Sequence, residues 1–235
     1  REVDLIEEVG RIHGYDCIEG SRLARGLMGQ AANQAISLQS RIRHRLAGLG
    51  LDEVVSNTII EQKWLELAGC DGDGTLSLVN PLTEGQGILR PTLVPSLLDV
   101  ARRNFNQGFV TVAIFELGKC FSAMPESREE REGLRLAGLW SGQCTASTWQ
   151  ADHREIDNLD LKGLLEVFLE EMDLSFFADE HSFFREGCCA RLQINGCDLG
   201  YLGEVKPVLS SGFDIKRPVY IFEIDLKELL EQWNP

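Results

Sequence analysis

Between Asn80 and Phe121 the chain reads NPLTEGQGILRPTLVPSLLDVARRNFNQGFVTVAIFELGKCF, and no other stretch limits the fold as strongly. Asn80-Pro81 closes a turn, and a short strand follows it. From Pro91 to Asn106, Leu93, Leu97, Leu98, Ala101 and Phe105 share one helical face, with Pro95 early enough to be tolerated in the first turn. After a second turn, Val110 to Phe121 reads as a strand. Turn, short strand, helix, turn, strand is therefore the local order.

The flanking segments extend this pattern. Residues 2–14, EVDLIEEVGRIHG, place Val3, Ile6 and Val9, with Leu5 and Ile12, on one stripe of a short helix ending near Gly14. A polar connection, Tyr15 to Gly29, follows. The predicted organisation is a helical remnant over 1–20, a linker over 21–30 and one main domain over 31–235. Within that domain the spacing predicts a helix from Ala31 to Leu49, a strand from Asp52 to Ile60, a short helix from Gln62 to Ala68 and a strand from Leu76 to Val79. Leu134–Gly142 reads as the strand after Phe121, and the charged PESREEREG between them as a solvated hairpin loop. Asn158–Met172 is an amphipathic helix capped by Asp157 or Asn158. Asn195-Gly196 is the strongest hairpin signal. A short helix (Val205–Ser211), a strand (Val219–Ile224) and a terminal helix (Leu226–Trp233) complete an α+β fold with a mainly antiparallel sheet.

Composition excludes several functions. A chain of 235 residues, 43% hydrophobic, buries a substantial core. A net charge of -14 opposes a primary nucleic-acid or anionic-membrane surface, since such partners are held by Lys and Arg. Local basic patches are compatible with this balance, for example Arg41, Arg43, His44 and Arg45. The seven cysteines lack any CxxC pair and read as reduced, buried thiols of a cytoplasmic protein. No apolar run approaches the roughly 18 residues of a membrane span, and no signal peptide is apparent. The chain begins within a helical pattern and without methionine, which reads as a fragment of a longer protein.

Chemical motifs are sparse. There is no GxSxG, P-loop, GxGxxG or HExxH, and His13, His44, His153 and His181 stand apart. The Asp152-His153 pair falls in a polar loop and is weak grounds for a dyad. Asp4, Glu7 and Glu8, at i, i+3 and i+4, share a helical face. Acidic residues there favour the helix dipole without any ion.

Several separated segments carry a resemblance: DLIEEVGRIHGYD, the Asn80–Phe121 stretch, NGCDLGYLGEVKP and VYIFEIDL. In this order they resemble the β subunit of bacterial-type phenylalanyl-tRNA synthetase, whose core repeats the class II aminoacyl-tRNA synthetase fold. One departure is REGCC at Arg185–Cys189, where the family usually carries a His-Pro-Gly-Arg-like turn. The resemblance implies a class II synthetase-like core, with Ser37–Ile60 in place of the first signature. It also implies that Glu116 stands on the strand where active enzymes carry a phosphate-binding Arg. Phe222-Glu223-Ile224-Asp225 likewise runs into KELLEQW without the third-signature Arg. A carboxylate there repels a nucleotide, because phosphoryl-type transfer needs preorganised cations. The core is thus expected to be catalytically silent, with Glu116 paired to Arg90, Arg102 or Arg103.

The same resemblance implies Mg²⁺ bound by Asp4, Glu7 and Glu8 with a further Asp ahead of Arg1. It also implies a heterotetramer with catalytic α subunits, and tRNAPhe as partner of an ATP-dependent holoenzyme. Two other readings stay open from the residues: an active ligase of the same fold, and a nucleic-acid module stacking bases on Phe183, Phe184 or Phe105 beside Arg185 or Arg103. Apolar residues on the helix from Ser37 to Leu49 are expected to be exposed and to favour association.

Overall fold

In the computed structural model the described residues are 1–20, 34–69, 74–81, 85–123, 132–144 and 154–233. The chain divides into two compact units, Arg1–Ile36 and Ser37–Pro235. In the first, α1 (Glu2–His13) ends where Gly14 takes φ +89°, followed by a 3₁₀ turn at Tyr15–Cys17. The predicted stripe on α1 is present, but Val3, Ile6, Val9 and Ile12 are all exposed. The linker predicted over 21–30, most of PESREEREG and the Asp152-His153 pair lie outside the described residues.

The second unit is a seven-stranded sheet with a three-stranded annex. Its elements are α2 (Gln34–Gly48), β1 (Asp52–Glu53), β2 (Ile59–Glu61), α3 (Gln62–Ala68), β3 (Leu76–Ser77), β4 (Gln86–Leu89), α4 (Val94–Asn106), β5 (Val112–Phe121) and β6 (Glu132–Ser141). Then come α5 (Asn158–Phe168), β7 (Leu174–Ala178), β8 (Phe184–Ile194), β9 (Cys197–Val205), α6 (Pro207–Gly212), β10 (Tyr220–Asp225) and α7 (Leu226–Gln232). The main sheet runs β1-β5-β6-β10-β9-β8-β7, antiparallel except for the parallel pairing of β1 with β5. The annex order is β2-β4-β3. The α+β, mainly antiparallel expectation is thus observed.

Side chains alternate across the pleat, so each strand feeds two cores. Phe115, Leu136, Phe222 and Ile224 face one way, against Ile42 and Leu46 of α2, Leu165 and Phe168 of α5, and Leu229 of α7. Ile114, Ala137, Leu139 and Ile221 face the other way, against Leu97, Leu98 and Ala101 of α4 and Leu209 and Phe213 near α6. Burying each of the Leu, Ile and Phe side chains among these contributes about 1.5–3 kcal/mol. The helix expected to expose apolar residues, Ser37–Leu49, instead buries Ile42 and Leu46 completely; only Ile36, just ahead of that segment, is strongly exposed.

Local signals explain most boundaries. Asn195 and Gly196 take φ 52° and 81°, the doubly positive pair of a two-residue hairpin turn, and join β8 to β9. Asp157 accepts hydrogen bonds from the Leu159 and Asp160 N–H groups and starts α5. The strand expected over Asp52–Ile60 is two strands: Val54 N–H donates to Phe115 O in the main sheet, then the chain crosses to the annex. The short helix starts at Pro207 rather than Val205, which stays in β9. α5 ends at Phe168, short of the predicted Met172, and β7 then forms where no strand was expected.

Gly138 shows how tightly the sheet is packed. It lies opposite Phe222, and a Cβ there would run into the Phe222 ring, which is fully buried. Gly138→Ala is therefore expected to lower unfolding stability by about 1–3 kcal/mol through overpacking. Urea denaturation followed by tryptophan fluorescence measures this, and an unchanged midpoint would contradict it.

Candidate functional site

β5 carries the diagnostic residue. Ile114, Glu116, Gly118 and Cys120 turn toward α4, because Phe115 and Leu117 pack on the opposite face. Glu116 is 1% exposed and pairs with Arg90, 2% exposed, at 3.0 Å. Neither side chain reaches solvent, so hydrogen bonds must satisfy what water cannot. Glu116 Oε1 also accepts from the Ser56 N–H, and Oε2 accepts from the Ser56 hydroxyl at 2.6 Å. Arg90 Nη1 donates to Ser56 Oγ at 2.7 Å, and its Nε donates to Lys119 O at 2.9 Å. Gly118 makes room: a Cβ there would collide with the Arg90 guanidinium. Of the three arginines expected as partners, Arg90 is the one. Arg102 and Arg103 both bind Asp99 on their own helix.

A second carboxylate repeats the device. Glu223 of β10 accepts from the Thr92 hydroxyl at 2.8 and 2.9 Å, from the Leu93 N–H at 2.7 Å and from Arg135 Nη1 at 2.9 Å. Burial works against the Arg135 charge, but Glu223, Cys120 and Asp225 together outweigh it, and the Arg135 pKa rises above its ordinary value. The segment Arg90–Leu93 is thus clamped twice to the sheet, onto β5 through Arg90 and onto β10 through Thr92 and the α4 amide end. Ser56, Thr92 and Arg135 were not anticipated from sequence. Thr92, a hydroxyl in the first turn of the helix predicted from Pro91, was the one local hint.

Beside this clamp is a cavity of about 290 Å³, bordered by Arg135, Glu223, Asp225, Gly200, Tyr201 and His181. That is at the lower end of small-molecule pockets, about 300–1,000 Å³. Its carboxylates outnumber its cations, so it repels polyphosphate. His181 packs on Phe183, Phe184 and Tyr201, with ring centroids 4.7–5.7 Å apart. The Phe183 N–H donates to His181 Nδ1. Burial, in the first place, lowers the His181 pKa. Burial and then Glu223 push the Cys120 thiol up to about 12, which makes it an inert core residue.

The remaining sequence candidates are dispersed. Asp4 pairs with the Arg1 α-ammonium at 2.8 Å and Glu8 with Arg11 at 2.6 Å. Glu7 is exposed on the same helix. Among the described residues no three His, Cys, Asp or Glu side chains are gathered to hold a metal ion. His44 Nδ1 bonds to Ser40 O on its own helix, and His13 ends α1. The aromatic residues considered for base stacking are engaged: Phe183 and Phe184 are buried, Arg185 pairs with Glu204, and the Arg217 guanidinium sits 4.9 Å from the Phe105 centroid. Of the basic patch, Arg43 pairs with Glu53 and Arg45 with Glu170 and Glu171. No helix among the described residues is long and apolar enough to cross a membrane.

A large antiparallel sheet flanked by helices, with one parallel edge strand, is the fold shared with a solved pyrrolysyl tRNA synthetase. That chain, PylSc of Desulfitobacterium hafniense, superposes with a TM-score of 0.64 at 18% identity, covering 95% of this chain and 74% of that one. The family profile described as phenylalanyl tRNA synthetase beta chain CLM domain matches residues 21–226. The chain is 34% identical to the phenylalanine–tRNA ligase beta subunit of Syntrophus aciditrophicus, over 100% of this chain and 30% of that protein. It is 31% identical to the beta subunit of Bacillus subtilis, over 97% of this chain and 29% of that protein. The chain belongs to the phenylalanyl-tRNA synthetase beta-chain family, and it spans about 30% of the length of the curated relatives it matches.

Two measurements probe the site. Glu116→Gln leaves the Arg90 charge buried without its counter-charge and is expected to cost about 3–5 kcal/mol; urea unfolding of the single variant and of Arg90→Met/Glu116→Leu, which should lose less, checks this. His181 has a depressed folded pKa, so its contribution is complete above the unfolded value of about 6.5 and is lost as pH falls below it. Unfolding free energy should therefore decline between about pH 7 and 5, and His181→Gln should flatten that decline in a pH series of melts.

Proposed function

We propose that this chain is the non-catalytic, class II-like core of a phenylalanine–tRNA ligase beta subunit, acting in the cytoplasm. It would scaffold the catalytic α subunit and help orient tRNAPhe, while the α subunit carries the ATP-dependent attachment of phenylalanine. The observation that carries this reading is the use of Glu116 and Glu223. By family resemblance Glu116 occupies a position where an active core needs a guanidinium group, the helix after Glu223 lacks the other, and both carboxylates are saturated by the chain's own Arg90, Ser56, Thr92 and Arg135. A site whose charges are consumed internally has nothing left for a triphosphate.

The domain division of the intact protein follows from the same reading: a helical remnant over 1–20, a linker over 21–30 and the silent core over 31–235. Asp4, Glu7 and Glu8 are proposed to hold Mg²⁺ through water in the assembled enzyme, since that ion keeps several waters and takes few carboxylates. Completion of the site then depends on donors outside this chain.

Titration calorimetry of the purified chain against ATP, and against phenylalanine, tests the central reading. No heat is expected up to about 1 mM ligand, and a Kd near 1 µM for either would overturn it. Pyrophosphate exchange by the chain alone would point to an active ligase instead.

A further inference from the structure

The main sheet ends at β7, and the phase of its last ladder determines what that edge presents. Asn195 N–H donates to Asp173 O, and Asp179 N–H donates to Cys189 O. Bonded and non-bonded pairs alternate in an antiparallel ladder, so 173, 175, 177 and 179 bond to β8. Leu174, Phe176 and Ala178 therefore turn their N–H and C=O groups outward. Of these, the Leu174 N–H is engaged by Met172 O at 3.0 Å. The strand reads Leu-Ser-Phe-Phe-Ala, with no charge and no proline to blunt it, and Phe177 is 46% exposed.

A groove of about 210 Å³ adjoins this edge. Phe176, Ala190 and Leu202 border it on the sheet, and Leu159 and Lys162 of α5 border it on the helix. Lys162 Nζ stands 5.1 Å from the Phe176 centroid, and Leu159 is 72% exposed. Asn158 Oδ1, a buried acceptor without a hydrogen-bond partner, belongs to a residue lining the same groove. Ala178, Ala190 and Leu202 lie in one cross-strand row. The small Ala178 thus leaves a side chain on an added outer strand free to reach over it into the groove.

Charge limits the occupant. The edge is bracketed by Glu170, Glu171 and Asp173 at one end and by Asp179 and Glu180 at the other, and Arg45 and Arg191 offset only part of this. A two-fold pairing of β7 with a second copy would set Asp173 against Asp179, like charge on like charge. We propose that the β7 edge and its groove form a docking site for an extended segment of a partner protein. That segment pairs as an eighth strand, places one large apolar side chain in the groove and carries Lys or Arg at both ends. Main-chain bonds give such contacts affinity, and the pocket gives them selectivity.

The test uses the intact beta subunit in its assembled enzyme. The probe is a fluorescent peptide of about ten residues, alternating Val and Thr around a central Leu with two Lys at each end. Anisotropy is expected to give a Kd on the order of 10 µM, weakened about tenfold or more by Ala178→Pro, by Leu159→Glu and by exchanging the probe's Lys for Glu. Proline is tolerated at an edge position whose N–H faces solvent, and the exposed Leu159 can be replaced without disturbing the core, so either variant suffices if the other fails to fold. No binding at about 1 mM, or unchanged affinity in the folded variants, would overturn the proposal. So would a concentration-dependent doubling of mass that Ala178→Pro abolishes, which would assign the edge to self-pairing.

Discussion

The ion pair between Arg90 and Glu116 ties the crossover, the entry to α4 and β5 into one arrangement. A buried pair of charges is a weak source of net stability, because desolvation offsets most of the attraction. What it provides is geometry. Ser56 from the crossover, Arg90 from the segment before α4, and Glu116 and Lys119 from β5 all share one network. Removing any one leaves another buried and unsatisfied, so the crossover, the helix entry and the strand can adopt only one mutual arrangement. Glu223 extends the same logic to β10 by taking the Thr92 hydroxyl, the Leu93 amide and Arg135.

The network has a simple electrostatic form. In a phosphate site, cations point into a cavity and wait for an anion. Here the anions belong to the protein, so the cations point at them and the cavity is left acidic around Arg135. Gly118 fits this account, since its missing Cβ is what lets the Arg90 guanidinium lie against β5.

Much of the scaffold was legible in sequence because its signals are local. The Asn195-Gly196 turn, the Asp157 cap and the leucine face of α4 each depend on a few neighbouring residues, and each appears as expected. The split of Asp52–Ile60 into β1 and β2 was not read from sequence, since Val54, Val55, Thr58, Ile59 and Ile60 are β-forming on both sides of the Ser56-Asn57 break, where Ser56 turns aside to meet Glu116. That choice is tertiary. The partner of Glu116 was narrowed to three arginines, and helical spacing carried the rest of the answer: Asp99 stands three and four residues before Arg102 and Arg103 and pairs with both, which leaves Arg90.

β7 was missed for a related reason, and the miss bears on how this face of the molecule works. Leu174–Ala178 is short, follows directly on an amphipathic helix and lacks strict alternation, so periodicity merges it with what precedes it. It becomes a strand only because β8 offers a ladder to bind. A strand defined by one neighbour is held on one side only, and its outer backbone groups stay with water unless another strand supplies partners. Acidic residues at both ends keep copies of the chain from pairing there, a form of protection that costs no hydrogen bond inside the sheet. The same charges that exclude self-association favour a basic strand, so protection from aggregation and selectivity for a partner come from one set of side chains.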